Sequence, residues 1–312
     1  MKKIGAFFRL VRWPNLLITA LMMILVHHCL MQMDSNVAFF LLIISMVLIQ
    51  AGGYVINDIF DMGIDAVNKP DKQIVGKVFT EKQSNVFYIL LTIIGLACAL
   101  AASVMALGNK FITIFACMAL LACFLYSYSN RYKKKLVVGN LIVSLSVAFA
   151  VFVPWMFEML YISKHELLLI TLQQKMQISL RFVLIYTAFA FLMTLIREIV
   201  KDMQDVKGDG YSHCRTIPIV WGMTAAQIIV IVLSFVTCVV IWNAADYFNG
   251  LGCNITYYML YASGFLVICV TGNNLKSFVT DKSLRIEKQF RIQSMLLKIS
   301  MLIGVLSMLF IK

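Results

Sequence analysis

The sequence predicts an all-α, polytopic membrane protein of about nine transmembrane helices, and three observations predict it. The 312 residues are 61% hydrophobic and only 13% charged, and the mean hydropathy is +0.88. A soluble chain of this length needs a polar shell, whereas a bilayer hides apolar faces on every side. Runs of roughly 17–25 mostly apolar residues recur, the length that crosses ~30 Å of hydrocarbon. The basic residues, finally, fall almost entirely into alternate loops. With no water to satisfy the backbone, spans of this length are helices.

The spans follow one another in order. Leu16–Met33 comes after MKKIGAFFRLVRWPN, which is charged like the head of a signal peptide but has no small-residue cleavage site behind it. It reads as an uncleaved first helix. Val37–Ile56 and Asn85–Leu107 flank the hydrophilic NDIFDMGIDAVNKPDK, and Phe111–Tyr126 and Leu136–Ile162 flank YSNRYKKKLVVGN. The stretch SKHELLLITLQQKMQISLR reads as a short interfacial helix ahead of Phe182–Ile199. Thr224–Ala245, Ile255–Gly272 and Ser294–Ile311 complete the series. No low-complexity segment or linker divides it, so residues 1–312 are expected to form a single domain.

Charge placement orients the spans. Lys2, Lys3, Arg9, Arg12, Lys69, Lys72, Lys77, Lys82, Arg131 and Lys133–Lys135 lie on the N-terminal side, with Arg197, Lys201, Lys207 and Arg215. So do the basic residues from Lys276 to Lys298, which leaves Lys110, Lys164, Lys175, Arg181 and Lys312 opposite. Roughly 22 of the 27 basic residues thus share one side, which the positive-inside rule makes cytoplasmic. The N-terminus would be cytoplasmic and the C-terminus on the other side of a cell (inner) membrane. The net charge of +12 therefore reads as topology, and no nucleic-acid partner is expected. The eight cysteines show no CxxC and no metal-ligand spacing, and with the 19 methionines they read as packing.

Two acidic clusters stand out. Asp58, Asp61 and Asp65 follow DxxDxxxD, and Asp202, Asp205 and Asp209 in REIVKDMQDVKGD repeat it. On a helix, offsets of three and seven return to nearly one direction, so each trio shares a face. With Asp71 and Glu198 they hold eight of the fifteen carboxylates, all expected on the cytoplasmic side. A charge at a helix exit is ordinarily interfacial punctuation. Three aspartates at the negative end of a helix dipole repel one another and lose a few tenths of a kcal/mol or more each. A hard divalent cation resolves both problems, and Mg2+ usually shares carboxylates with substrate phosphates. The pair of clusters therefore suggests a metal-bridged diphosphate. Nearby Lys69, Lys72, Arg197 and Lys201 would serve its charge, as would Tyr128, Lys133 and Lys134 in the third loop.

With RWPNLL at the first helix, NDIFDMGIDAVNKPD, YSNRYKKKLVVGN, REIVKDMQDVKGD and CRTIPIVWG, the chain resembles the UbiA superfamily of intramembrane prenyltransferases. Within it, the second motif followed by RTIP is most similar to the digeranylgeranylglyceryl phosphate synthases. The resemblance implies a helical bundle around a central cavity with both motifs at its cytoplasmic mouth. Asn57, Asp58, Asp61, Asp202 and Asp205 would hold Mg2+, with Asp65 and Asp209 supporting. The donor would be a prenyl diphosphate, geranylgeranyl diphosphate in that subfamily, and the acceptor a lipophilic alcohol, geranylgeranylglyceryl phosphate. Asn15 would join the diphosphate-binding set. The family's RPxRPI segment reads KPDKQI here, with lysines that keep the charge but not the bidentate fork.

The expected chemistry is metal-assisted departure of diphosphate from an allylic carbon, sheltered from water. Tyr54, Phe60 or Tyr128 would offer aromatic faces to the allylic cation, and Asp65 and Asp209 are the candidate bases. The rivals within the family are transfer to an aromatic quinone precursor or to haem. A cation-coupled transporter would instead place its charges near the bilayer midplane. A phosphatidyl-type transferase would carry a glycine–alanine–arginine signature absent from this sequence.

Overall fold

The computed structural model describes residues 2–30, 36–68, 70–279 and 283–311. Among them the structure is helical, with one isolated bridge between Val75 and Phe79. Among the described residues seven helices are long and apolar enough to cross a membrane, or eight if one bent pair counts as a span. The nine expected spans are not reached by that criterion.

One of the seven, Glu81–Asn130, covers two expected spans. It consists of α5 (Glu81–Leu107), a 3-10 turn at Gly108–Lys110, and α6 (Phe111–Asn130). Gly108 has φ +51°, a left-handed conformation that glycine adopts without a Cβ penalty. Tyr88 in α5 and Tyr126 in α6 stack with ring centroids 6.2 Å apart. At 1.5 Å per residue a straight helix would hold them roughly 57 Å apart. The segment is therefore an antiparallel hairpin. α5 opens with a capping box in which Thr80 and Gln83 satisfy each other's backbone N–H groups.

The chain forms two compact units. The first comprises residues 1–133 and 149–183. It holds α1 (Lys2–Leu10), α2 (Trp13–His28), α3 (Asn36–Phe60), α4 (Met62–Asn68), α5 and α6. α1 and α2 meet at 52°. Glycines bring α3 and α5 together: a Cβ at Gly95 would lie 2.9 Å from Ile49 Cγ1, and one at Gly52 2.8 Å from Thr92 Oγ1. Close backbone approach at small residues is how membrane helices gain packing where lipid is as apolar as leucine. One apolar cluster joins α1 (Ala6, Leu10), the end of α3 (Val55, Ile56, Ile59) and the following loop (Val75, Phe79).

The second unit comprises residues 134–148 and 184–312. It includes the start of α7 (Val138–Ile162), most of α8 (Glu166–Tyr211) and α9 (Ile217–Val220). α10 (Met223–Gly250), α11 (Asn254–Val279) and α12 (Ser283–Ser307) complete it. Small polar residues link them: Ser263 and Ser300 hydroxyls lie 2.8 Å apart, and Thr256 donates to the Ser307 carbonyl at 3.0 Å. α8 and α12 run antiparallel. The hydroxyls of Tyr186 and Ser307 are 2.6 Å apart, a Cβ at Gly304 would strike the Phe189 ring, and Gln204 donates to the Phe290 carbonyl at 2.9 Å.

α8 corrects the expected interfacial helix. Residues 166–181 continue unbroken into the predicted span Phe182–Ile199 and on to Tyr211. No glycine or proline interrupts the sequence between Glu166 and Lys207, so nothing stops the helix where polarity changes.

Candidate active site

The first acidic motif lies where α3 passes into α4. Asp58 belongs to α3, Asp61 occupies the intervening turn and Asp65 belongs to α4. Helical bonding persists through the turn: Asp61 N–H donates to the Asn57 carbonyl at 2.9 Å and Asp65 N–H to the Asp61 carbonyl at 2.8 Å. The shared face read from the spacing is therefore kept.

Two cations answer the carboxylates. Arg12 Nη2 donates to Asp58 Oδ1 at 2.8 Å, and its guanidinium lies 4.8 Å over the Tyr54 ring. Lys133 Nζ donates to Asp61 Oδ2, which also accepts from Asn57 Nδ2 at 2.7 Å. Asp61 and Asn57 are buried, and Asn57 Oδ1 has no hydrogen-bond partner. A buried carbonyl oxygen left in that state carries the desolvation cost of the group. The repulsion expected among bare aspartates is thus relieved by the protein's own cations. The Tyr54 face proposed for an allylic cation is covered by Arg12. Asn15 Nδ2 reaches the Tyr54 hydroxyl at 3.4 Å, which places it beside this set.

The second motif sits wholly on α8. Asp202 accepts from Asn140 Nδ2 at 2.8 Å. One turn earlier the buried Glu198 accepts from Arg197 Nη1 at 3.0 Å and Lys201 Nζ at 3.5 Å. Asp205 is half-buried and Asp209 buried on the same helix. Since α8 runs to Tyr211, Asp202 lies well inside it. The dipole penalty expected at a helix terminus falls off within the last turn and does not reach Asp202. The Lys134 carbonyl accepts from the Arg215 N–H at 3.1 Å and ties the lysine loop to the RTIP segment. Lys134 itself is exposed and Tyr128 half-buried. Lys69 lies outside the described residues, as does the side chain of Lys72.

Sequence reasoning missed Arg12 and Asn140 as partners of the motif aspartates. Their only signal was membership of RWPNLL and YSNRYKKKLVVGN. Among the described residues, the three non-glycines with left-handed backbone are Arg12 (φ 54°), Val137 (φ 64°) and His213 (φ 55°). All three border motif segments, and such strain persists where the surroundings over-determine it.

Among the described residues no three histidine, cysteine or acidic side chains converge as a closed metal cage. The donors present still suit Mg2+, which is usually held by one or two carboxylates together with substrate phosphates. Asn57 and the motif aspartates supply only hard oxygens, and the unpartnered Asn57 Oδ1 is an acceptor awaiting a cation or donor.

The model of the UbiA prenyltransferase family matches residues 16–297. The digeranylgeranylglyceryl phosphate synthase of Korarchaeum cryptofilum is 30% identical over 262 residues, covering 84% of this chain and 81% of that one. The enzyme of the same name from Saccharolobus solfataricus is 31% identical over 194 residues, and the match spans 60% of its length. A solved structure concerning digeranylgeranylglyceryl phosphate synthase in membranes superposes with a TM-score of 0.65. It is 22% identical, covering 99% of this chain and 98% of the other. A UbiA homologue from Archaeoglobus fulgidus, solved with DMAPP and Mg2+, gives 0.56 at 16% identity, covering 96% and 98%.

Proposed function

The chain belongs to the UbiA prenyltransferase family, and from that premise we propose that it transfers a prenyl group from a prenyl diphosphate to geranylgeranylglyceryl phosphate, an Mg2+-dependent step in ether-lipid synthesis. The acceptor follows the curated relatives, which are named digeranylgeranylglyceryl phosphate synthases. The metal follows the homologue solved with DMAPP and Mg2+. The observation that carries the reading is Asn57 Oδ1, buried and unpartnered beside two carboxylates already matched by Arg12 and Lys133.

Asn57, Asp58, Asp61, Asp202 and Asp205 would hold Mg2+, with Asp65 and Asp209 in support. When bound, the metal supplies Lewis-acid stabilisation of the departing diphosphate. The chain's own residues do the rest. Asn57 and Asn140 orient Asp61 and Asp202 through their amides. Lys133, Lys134, Arg197 and Lys201, with Lys69 and Lys72, meet the donor's negative charge, and Asn15 and Tyr128 line the same segments. The allylic C–O bond breaks as diphosphate leaves, the acceptor hydroxyl oxygen forms the new ether bond, and its proton passes to a carboxylate, Asp65 or Asp209. The apolar helices exclude the water that would otherwise capture the allylic carbon.

The two units would work as one prenyltransferase domain over residues 1–312. The basic loops favour a cell membrane location with the N-terminus and both motifs cytoplasmic and the C-terminus opposite. Membranes containing the chain, given labelled geranylgeranyl diphosphate and Mg2+, should prenylate geranylgeranylglyceryl phosphate in preference to hydroxybenzoate, a naphthoate or haem B. Preference for an aromatic acceptor or haem would reject the ether-lipid assignment.

A further inference from the structure

α1 (Lys2–Leu10) packs one face against the first unit and leaves the other bare. Ala6 and Leu10 are buried in one cluster with Val55, Ile56 and Ile59 of α3 and with Val75 and Phe79 of the following loop. Phe7 adds an edge contact to Phe87 of α5, with ring centroids 5.2 Å apart. The opposite face carries Ile4, 65% exposed, and Phe8, 51% exposed. Four residues apart on a helix, these side chains form one apolar stripe. Lys3 and Arg9, both exposed, each lie one residue outside the stripe, about 100° round the helix on either flank. Among the described residues neither pairs with a carboxylate.

A single exposed apolar side chain is ordinary, but a stripe with a cation on each flank has a matching surface. A helix of this kind lies in the plane of a membrane face, its stripe at the acyl boundary and its cations among the headgroups. Two further features put α1 at that level. α1 and α2 meet at 52°, so α1 leaves the axis of the apolar helix that follows. Trp13 stands at the elbow, 48% exposed, and tryptophan is enriched at the membrane–water interface. Exposed Leu17, one turn further along α2, continues the apolar surface towards the bilayer.

The same elbow belongs to the first acidic motif. Arg12 has left-handed backbone, φ 54° and ψ 49°. Its N–H donates to the Arg9 carbonyl at 3.1 Å, and its carbonyl accepts from the Asn15 N–H at 2.9 Å. Its Nη2 reaches Asp58 Oδ1 at 2.8 Å. A left-handed non-glycine residue keeps that conformation only while its surroundings hold it, so the seating of α1 bears on the guanidinium that faces Asp58.

We propose that α1 docks in the plane of the membrane on anionic phospholipid, with Ile4 and Phe8 at the acyl boundary and Lys3 and Arg9 on the headgroup phosphates, and that this docking fixes the Arg12 elbow. The partner is an anionic lipid surface because the stripe needs an apolar layer and its two flanks need negative charge. Each cation adds about fivefold to binding at such a surface. The docking itself needs the bilayer but not the acceptor assigned above; only its effect on turnover rests on that reading.

Hydrogen exchange on the full-length chain in nanodiscs tests the docking. Amides of residues 3–10 should exchange at least about fivefold more slowly in phosphatidylglycerol than in phosphatidylcholine. The double variant Lys3→Gln, Arg9→Gln should lose that difference, and Lys3→Arg, Arg9→Lys should keep it. Ile4→Ser with Phe8→Ser should speed exchange in both lipids. Equal exchange of the wild type in the two lipids, or a difference that survives the glutamine pair, would overturn the proposal. So would equal protection by soluble glycerol phosphate added to phosphatidylcholine nanodiscs, which would assign the cations to a free anion.

The link to the elbow is read by turnover. Phosphatidylglycerol should raise prenyl transfer at least about threefold over phosphatidylcholine in the wild type, and not in the glutamine pair. Lipid stimulation that persists in that pair, or none in a wild type whose α1 is protected, would sever docking from Arg12. Absence of prenyl transfer in every lipid would reject the functional reading, while the exchange difference would still establish the docking.

Discussion

At the residue scale, the chemistry depends on how each motif carboxylate is held. Asp58 and Asp61 are paired to Arg12 and Lys133, while Asp202 accepts from a neutral amide. Asp58→Asn and Asp202→Asn should each lower prenyl transfer by about 100-fold or more, since in the proposed site each removes charge where the bond breaks. Both variants should remain monodisperse and melt near the wild type, and near-normal turnover in either would remove that aspartate from the site. Asn140→Ala leaves Asp202 without the amide donor found here. It should cost about 1 kcal/mol of stability and about tenfold in turnover, while Asn140→Gln recovers part of the loss. The aspartates themselves were legible as a repeated spacing in a chain poor in carboxylates. Arg12 and Asn140 were not, because they lie 46 and 62 residues from their partners and no local pattern encodes such a pairing.

At the element scale, glycine contacts decide which helices approach. Gly95 sits against Ile49 with no room for a side chain, and so ties α5 to the helix that ends in the first motif. Gly95→Val should destabilise the first unit by about 1–3 kcal/mol through overpacking, read as a lower melting temperature in detergent. At Gly5 a Cβ would meet nothing within 4 Å, so Gly5→Ala is the matched control and should leave the melting temperature near that of the wild type. Apolar run length predicted most of the spans, but not where helices stop. α8 carries polar residues at both ends with no glycine or proline before Gly208, so polarity alone suggested a boundary near residue 181 that the backbone ignores. The α5–α6 turn shows the converse, where one left-handed glycine makes a hairpin of a continuous apolar stretch.

At the scale of the whole molecule, family membership and composition agree on an integral membrane enzyme. Chelation of divalent cations with EDTA should abolish label transfer from an allylic diphosphate, and excess Mg2+ should restore it. Activity that persists after exhaustive chelation would discard the metal-dependent reading. Loss of activity without loss of the folded state, followed by size-exclusion and melting curves, separates catalytic from structural need for the ion.

The sequence by itself determined the helical membrane class, the two aspartate motifs and their family, because hydropathy and residue spacing are properties of neighbours along the chain. Only the tertiary structure decided that Arg12 and Lys133 neutralise the first motif, that Asn57 keeps a buried oxygen unpartnered, and that Asn140 holds Asp202. Those pairings rest on helix register. Register is set by packing at distant small residues such as Gly95 and Gly304, where van der Waals fit, rather than hydrophobicity, distinguishes one arrangement from another in lipid.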